Sequence, residues 1–141
     1  MLTQLRHILI ISLFTLTIFA CKKDKNDLQS QIDILTSKNW KPATIDKNVS
    51  SNPVGEIYYY EENCNDFTYQ FGINNSLKIL KEKGCYVYKP DDVSGKYDLS
   101  AMEITYEETT YKIAEITTDQ VKFYQKLPSS SGYDYVVYLL Q

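Results

Sequence analysis

The sequence predicts an all-β protein: an antiparallel sandwich or barrel of about eight strands, preceded by one short N-terminal helix. Three observations lead there. From Trp40 onward the chain runs in short stretches of Tyr, Val, Ile, Phe and Thr, broken by Gly, Pro, Asn, Asp and Ser, the texture of strands joined by hairpins. Within those stretches apolar and polar residues alternate, so that each strand has one buried and one wet face, as antiparallel sheets do. After residue 38 no segment has the length and 3.6-residue period of a second helix, which disfavours an alternating α/β fold.

The N-terminus is organised differently. Ile8 to Ala20 is apolar apart from Ser and Thr, lies behind Arg6 and His7, and contains no acidic residue; this is the pattern of a secretory signal peptide. A spanning helix needs about 20 apolar residues, so a permanent transmembrane segment is not expected. Ile18-Phe19-Ala20-Cys21 resembles a bacterial lipobox, with an aliphatic residue at minus three and a small one at minus one. The resemblance implies that Cys21 is lipidated and becomes the first residue of the mature chain; the alternative is an ordinary signal peptide cut near a cysteine. Residues 1–20 are therefore expected to be a lipoprotein signal peptide, 21–27 the lipidated Cys21 and a charged tether, and 28–141 one domain. The expected location is the bacterial cell envelope, lipid-anchored to a membrane and either periplasmic or surface-facing.

Removing residues 1–20 takes away the only Arg and the only His, leaving 14 Lys against 18 acidic residues, a formal charge of −4. A mildly acidic surface without Arg argues against nucleic acid as a partner. Without His, neither a Ser-His-Asp triad nor a Cys-His pair can be assembled.

Leu28, Ile32 and Leu35 recur at helical spacing behind Asn26 or Asp27 as N-cap, which predicts a short amphipathic helix packed on the domain. Candidate strands follow at Asn39 to Asp46, Glu56 to Tyr60, Asp66 to Phe71, Ser76 to Glu82, Cys85 to Lys89, Gly95 to Leu99, Met102 to Tyr106, Thr110 to Ile116, Val121 to Lys126 and Tyr133 to Leu140; one or two of the first five are surplus to a small barrel. Alternation places Phe67, Tyr69, Phe71, Leu77, Ile79, Met102, Ile104, Tyr106, Tyr111, Ile113, Val121, Phe123, Tyr135, Val137 and Leu139 inside, and Asp66, Thr68, Gln70, Lys78, Glu103, Thr105, Lys112 and Lys122 on the wet side. The last strand is less clean, since Val136, Tyr138 and Leu140 make its second side apolar too. Asn tolerates left-handed backbone, so a three-residue loop Ile73-Asn74-Asn75 is expected to set Phe71 opposite Leu77 and Tyr69 opposite Ile79. Carried outward with a bulge at Gly84, that register brings Cys64 near Cys85. In an oxidising compartment these two are expected to form a disulfide; two buried thiols or half a metal site are the alternatives.

No catalytic residue, metal site or cofactor is expected. The pairs Glu61-Glu62, Asp91-Asp92 and Glu107-Glu108 sit near turn signals, and neighbours on a strand point to opposite faces, so none supplies the facing carboxylates that glycoside hydrolysis needs. The surplus lies in tyrosine: all 13 fall between Tyr58 and Tyr138, and Tyr offers an apolar ring with a polar tip.

The lipobox, the short helix, Trp40 opening the first strand, Cys64 followed by Asp66 and the aromatic run Phe67 to Phe71, and the Asn74-Asn75-Ser76 turn together resemble the lipocalin-like domains of bacterial lipoproteins over roughly residues 28–141. The resemblance implies an up-and-down barrel holding a small apolar or aromatic ligand, with Trp40, Phe67, Tyr69, Phe71, Met102, Ile104, Tyr106, Tyr111 and Phe123 lining its interior. The other expectation is a filled barrel acting as a non-catalytic accessory protein with a membrane-associated protein partner.

Overall fold

In the computed structural model, residues 27–59, 67–81 and 92–141 are described. The signal peptide, Cys21, Cys64, Cys85, the candidate strand Cys85 to Lys89 and the pair Glu61-Glu62 lie outside them. The chain divides into two units, Met1–Ser30 and Gln31–Gln141; of the first only residues 27–30 are described, the opening turn of helix α1 (residues 27–36). Among the described residues no helix is long and apolar enough to cross a membrane.

The end of α1 is fixed by local bonds. Thr36 Oγ1 donates to Ile32 O at 2.8 Å and Ser37 donates through both its backbone N–H and its hydroxyl to Ile34 O, which satisfies carbonyls that a helix end leaves open. Leu35 is fully buried, and its carbonyl accepts the indole N–H of the equally buried Trp40 at 2.9 Å. Lys38 closes the corner with its ammonium 4.2 Å from the centre of the Trp40 ring.

Among the described residues eight strands form one sheet: β1 (Glu56–Tyr58), β2 (Phe67–Phe71), β3 (Ser76–Lys81), β4 (Val93–Asp98), β5 (Glu103–Tyr106), β6 (Thr109–Ile116), β7 (Val121–Lys126) and β8 (Tyr135–Leu140), in the spatial order β1-β8-β7-β6-β5-β4-β3-β2. The class is all-β, with one α-helix among the described residues. From β2 to β8 each strand runs antiparallel to the next, but β1 lies parallel to β8, with Ile57 opposite Val136. The sheet is thus mixed rather than wholly antiparallel, because the connection from β1 leads to the far side of the meander instead of to its sequence neighbour.

The β2–β3 hairpin has the expected register, Phe71 opposite Leu77 and Tyr69 opposite Ile79. Its turn needs a left-handed residue, and Asn75 supplies it at φ 61°. Between β5 and β6 the two-residue turn Glu107-Glu108 has both residues at positive φ, 46° and 62°, the primed geometry that matches strand twist. Both are exposed there.

The first expected strand, Asn39 to Asp46, does not form. Pro42 has no N–H to give a ladder, and the segment instead makes two isolated antiparallel bridges, Trp40 to Tyr69 on β2 and Pro42 to Leu140 on β8. Trp40 and Tyr69 exchange backbone bonds at 3.0 and 2.8 Å, and Lys41 and Gln141 do the same. Beyond Ala43 the chain becomes an irregular strap, residues 44–55, with a single 3-10 turn at Val49–Ser51.

Cross-strand partners share a face, so the register traces the core: Tyr69 with Ile79, Phe71 with Leu77, Tyr97 with Ile104 and Tyr111, Ile113 with Phe123, and Phe123 with Tyr138. Two assignments of faces change. The Phe123 face continues on β8 through Val136, Tyr138 and Leu140, whereas Tyr135, Val137 and Leu139 lie with Lys122 on the other side. That other side is not wet on β7 and β8, where Val137, Leu139 and Lys122 are buried, and Thr68 on β2 is buried as well.

Candidate functional site

Seven of the nine residues expected to line an interior, Trp40, Tyr69, Phe71, Ile104, Tyr106, Tyr111 and Phe123, are buried. Phe67 and Met102 are half-buried, and Met102 is not on a strand but in the β4–β5 turn at φ 53°. Four of the seven meet as rings. Tyr106 stacks on Tyr111 at 4.6 Å, Tyr111 stands edge-on to Phe123 at 5.5 Å, and Tyr69 reaches Phe123 at 6.2 Å. The last contact joins β2 to β7, which are not neighbours in the sheet, so the sheet curls until its inner face meets itself.

Two further tyrosines complete this array. Tyr138 lies 5.1 Å from Phe123 with nearly parallel planes, and Tyr59 stacks on Tyr138 at 4.9 Å with about half its own surface exposed. Tyr97, edge-on to Phe71, sends its hydroxyl to Gly72 O at 2.8 Å. The clue to Tyr138 lay in the apolar second side of β8.

The rings follow one another in series, Tyr106 against Tyr111 and Tyr111 edge-on to Tyr138 at 5.4 Å. Burial pushes the hydroxyls of Tyr69, Tyr106 and Tyr138 well above the ordinary tyrosine range; neighbouring tyrosines add to the effect at Tyr106 and Tyr138, whereas at Tyr69 the hydroxyl of Tyr106 opposes it. An uncharged phenol can donate and accept hydrogen bonds but is a poor base or nucleophile.

A second polar cluster sits on the opposite face, under the strap. Lys122 of β7 is completely buried, and its Nζ donates to Asn48 O at 2.6 Å, Ser51 Oγ at 2.8 Å and Asn52 Oδ1 at 2.7 Å. It pairs with Asp46 Oδ1 at 2.8 Å and lies 3.9 Å from Glu115 Oε2. Asp46 also accepts the Asn48 N–H, the Asn52 amide, the Tyr58 hydroxyl and the Gln120 amide. Burial alone would raise the Asp46 carboxyl; the Lys122 ammonium and these donors outweigh it and hold the group well below the usual carboxylate range. The buried Gln120 accepts the Lys47 N–H and the Gln141 amide through one oxygen, and Glu115 accepts from Asn48 and Ser51.

Sequence reasoning placed Lys122 on a wet face, and the correction has a physical cause. Alternation fixes which face a residue takes, not what covers that face, and the strap carries no period to announce itself. The available signal was its composition: Asp46, Asn48, Ser51 and Asn52 are short polar side chains that bond locally. The strap also exposes three apolar side chains among polar ones, Val54 at 89%, Ile45 at 71% and Val49 at 61%.

Comparison with models of protein families, with curated proteins and with solved structures returned no match.

Proposed function

We propose that this chain is a lipid-anchored cell-envelope lipoprotein whose lipocalin-like barrel is filled by its own side chains and serves as a non-catalytic accessory module. One observation carries the reading: the residues that would line a ligand cavity are buried against one another, their rings in contact across the interior at Phe123. The barrel reading draws on that contact between β2 and β7 and on the bridges from Trp40 and Pro42 to the two sides of the meander. A partner would be met on the surface, where Ile45, Val49 and Val54 project from the strap.

In this reading Cys21 carries the lipid, and Cys64 and Cys85 form a disulfide, whose reduction adds two hydrogens to the intact mass. The deciding experiment is to purify the protein from its native host, extract it with organic solvent and weigh what is released. An extract without a stoichiometric small molecule supports the filled barrel. A bound apolar or aromatic compound would replace it with the second reading, ligand binding at the tyrosine end, which the half-buried Tyr138 under the exposed Tyr59 favours.

A further inference from the structure

We propose that the cluster under the strap makes its own covalent bond: Lys122 Nζ joins Asn52 Cγ in an intramolecular amide, ammonia leaves, and Asp46 carries the proton between the two nitrogens. The inference is independent of the function proposed above.

Three features of the cluster point to it. Lys122 is fully buried and held from several sides, so its amine is fixed rather than solvated. Nζ lies 2.7 Å from Asn52 Oδ1, and the carbonyl carbon can be no more than about 1.2 Å beyond that oxygen, so a small rotation of the amide brings nitrogen and carbon to attack distance. Held geometry of this kind replaces the entropy that a bimolecular amidation would have to overcome.

The second feature is the position of Asp46. Its Oδ1 accepts from Lys122 Nζ at 2.8 Å while its Oδ2 accepts from Asn52 Nδ2 at 3.0 Å, so one carboxylate touches both the nucleophile and the leaving group. The third is Tyr58, whose hydroxyl accepts from Asn52 Nδ2 at 2.6 Å and donates to Asp46 Oδ2 at 2.8 Å. It gives the leaving nitrogen a second proton route, and its own partial exposure opens a way out for ammonia.

The step balances without a cofactor or an oxidant. Lys122 passes a proton to Asp46, a transfer that burial helps but that works against the donors holding that carboxyl ionised. The amine lone pair then forms the Nζ–Cγ bond as the carbonyl electrons move onto Oδ1. Nζ gives up a second proton, protons reach Nδ2 through Asp46 and Tyr58, the Cγ–Nδ2 bond breaks with its electron pair, and the carbonyl re-forms. The net change turns a lysine ammonium and an asparagine amide into a secondary amide and ammonium ion. The bond would tie the strap to β7 across 70 residues of chain.

The test is a peptide map of the full chain, purified from membranes, reduced, unfolded and cut with trypsin. The expected product is a branched peptide joining Asn52 to Lys122, one ammonia lighter than its parts and uncut at Lys122. Lys122→Arg, which keeps the charge but cannot form the bond, should abolish it, and Asn52→Asp should form the same link with loss of water instead. Recovery of both wild-type peptides unlinked from protein that melts cooperatively overturns the proposal, as does a link from Lys122 to Asp46 or Glu115. An Asp46→Asn variant that links to the wild-type extent removes Asp46 from its role.

Discussion

Phe123 is the residue on which the interior depends, and Phe123→Ala tests that directly. Its ring meets Tyr69 at 6.2 Å, Tyr111 edge-on at 5.5 Å and Tyr138 face-on at 5.1 Å, and no part of it is exposed. Truncating a buried Phe to Ala typically costs about 3–5 kcal/mol through lost transfer energy and the cavity left behind. Three aromatic pairs, each contributing about 0.5–1.5 kcal/mol beyond buried area, put this site at the upper end of that range. For a domain of this size about 4–5 kcal/mol corresponds to a fall in melting temperature of roughly 15–30 °C. That loss approaches the whole stability of many domains, about 5–15 kcal/mol, so Phe123→Leu belongs beside it: it keeps most of the volume, removes the ring contacts, and should cost roughly 1–3 kcal/mol. Thermal melts followed by near-ultraviolet circular dichroism, which reports the packed tyrosines, measure both. If Phe123→Ala melts within about 5 °C of the parent, the interior is not built around this ring and the filled-barrel reasoning fails.

Gly95→Ala should destabilise by about 1–3 kcal/mol, because a Cβ there would come within 2.5 Å of the Thr105 carbonyl oxygen and 2.8 Å of Tyr106 Cβ; a denaturation midpoint equal to the parent's would contradict the β4–β5 register. Replacing Glu107-Glu108 by Asn-Gly should stabilise by about 0.5–2 kcal/mol, since both positions demand positive φ and the new pair adopts it readily; chemical denaturation would show it. Tyr69, Tyr106 and Tyr138 have folded pKa values raised by burial. Their contribution to stability is complete below the unfolded value of about 10 and is lost as pH rises through the folded ones. A tyrosinate absorbance titration should therefore show a late class that ionises only with unfolding, and one reversible transition of all tyrosines near the ordinary value would refute it. Metabolic labelling with a palmitate analogue should tag the parent but not Cys21→Ala; persistent labelling of the variant would exclude Cys21 as the anchor.

What was legible in the sequence was local. Asn74-Asn75 between two alternating runs was enough to place the β2–β3 register, because turn chemistry and side-chain period agree there. Of the interior residues, Tyr69, Phe71, Ile104, Tyr106, Tyr111 and Phe123 followed from period alone. The misreadings arose where partners are distant or unpatterned. β1 has only three residues, and its parallel partner β8 is far along the chain, so nothing near Glu56–Tyr58 reveals the pairing. On β8 both sides are apolar since one faces the tyrosine array and the other the strap, and alternation cannot choose between them. Asn39 to Asp46 has strand-like residues, yet Pro42 allows it only isolated bridges. Lys122 was misplaced because alternation says nothing of its cover, an irregular segment some seventy positions earlier whose short polar residues were the one signal of it.

The arrangement around β8 bears on how the molecule comes to be folded at all. Its first half pairs with β1, its whole length with β7, and its final residues with the segment at Lys41 to Ala43. The side-chain amide of Gln141 also holds Ile45 O across 96 residues of chain. Hairpins β2–β3 through β6–β7 can form as they emerge, but the pairings that join early chain to late chain must wait for β8, and such long-range closure is slow. A chain delivered from its N-terminus therefore keeps its earliest sheet edges open until the last strand arrives. The order of residues thus delays completion of the fold until the strand that joins the two sides has been delivered.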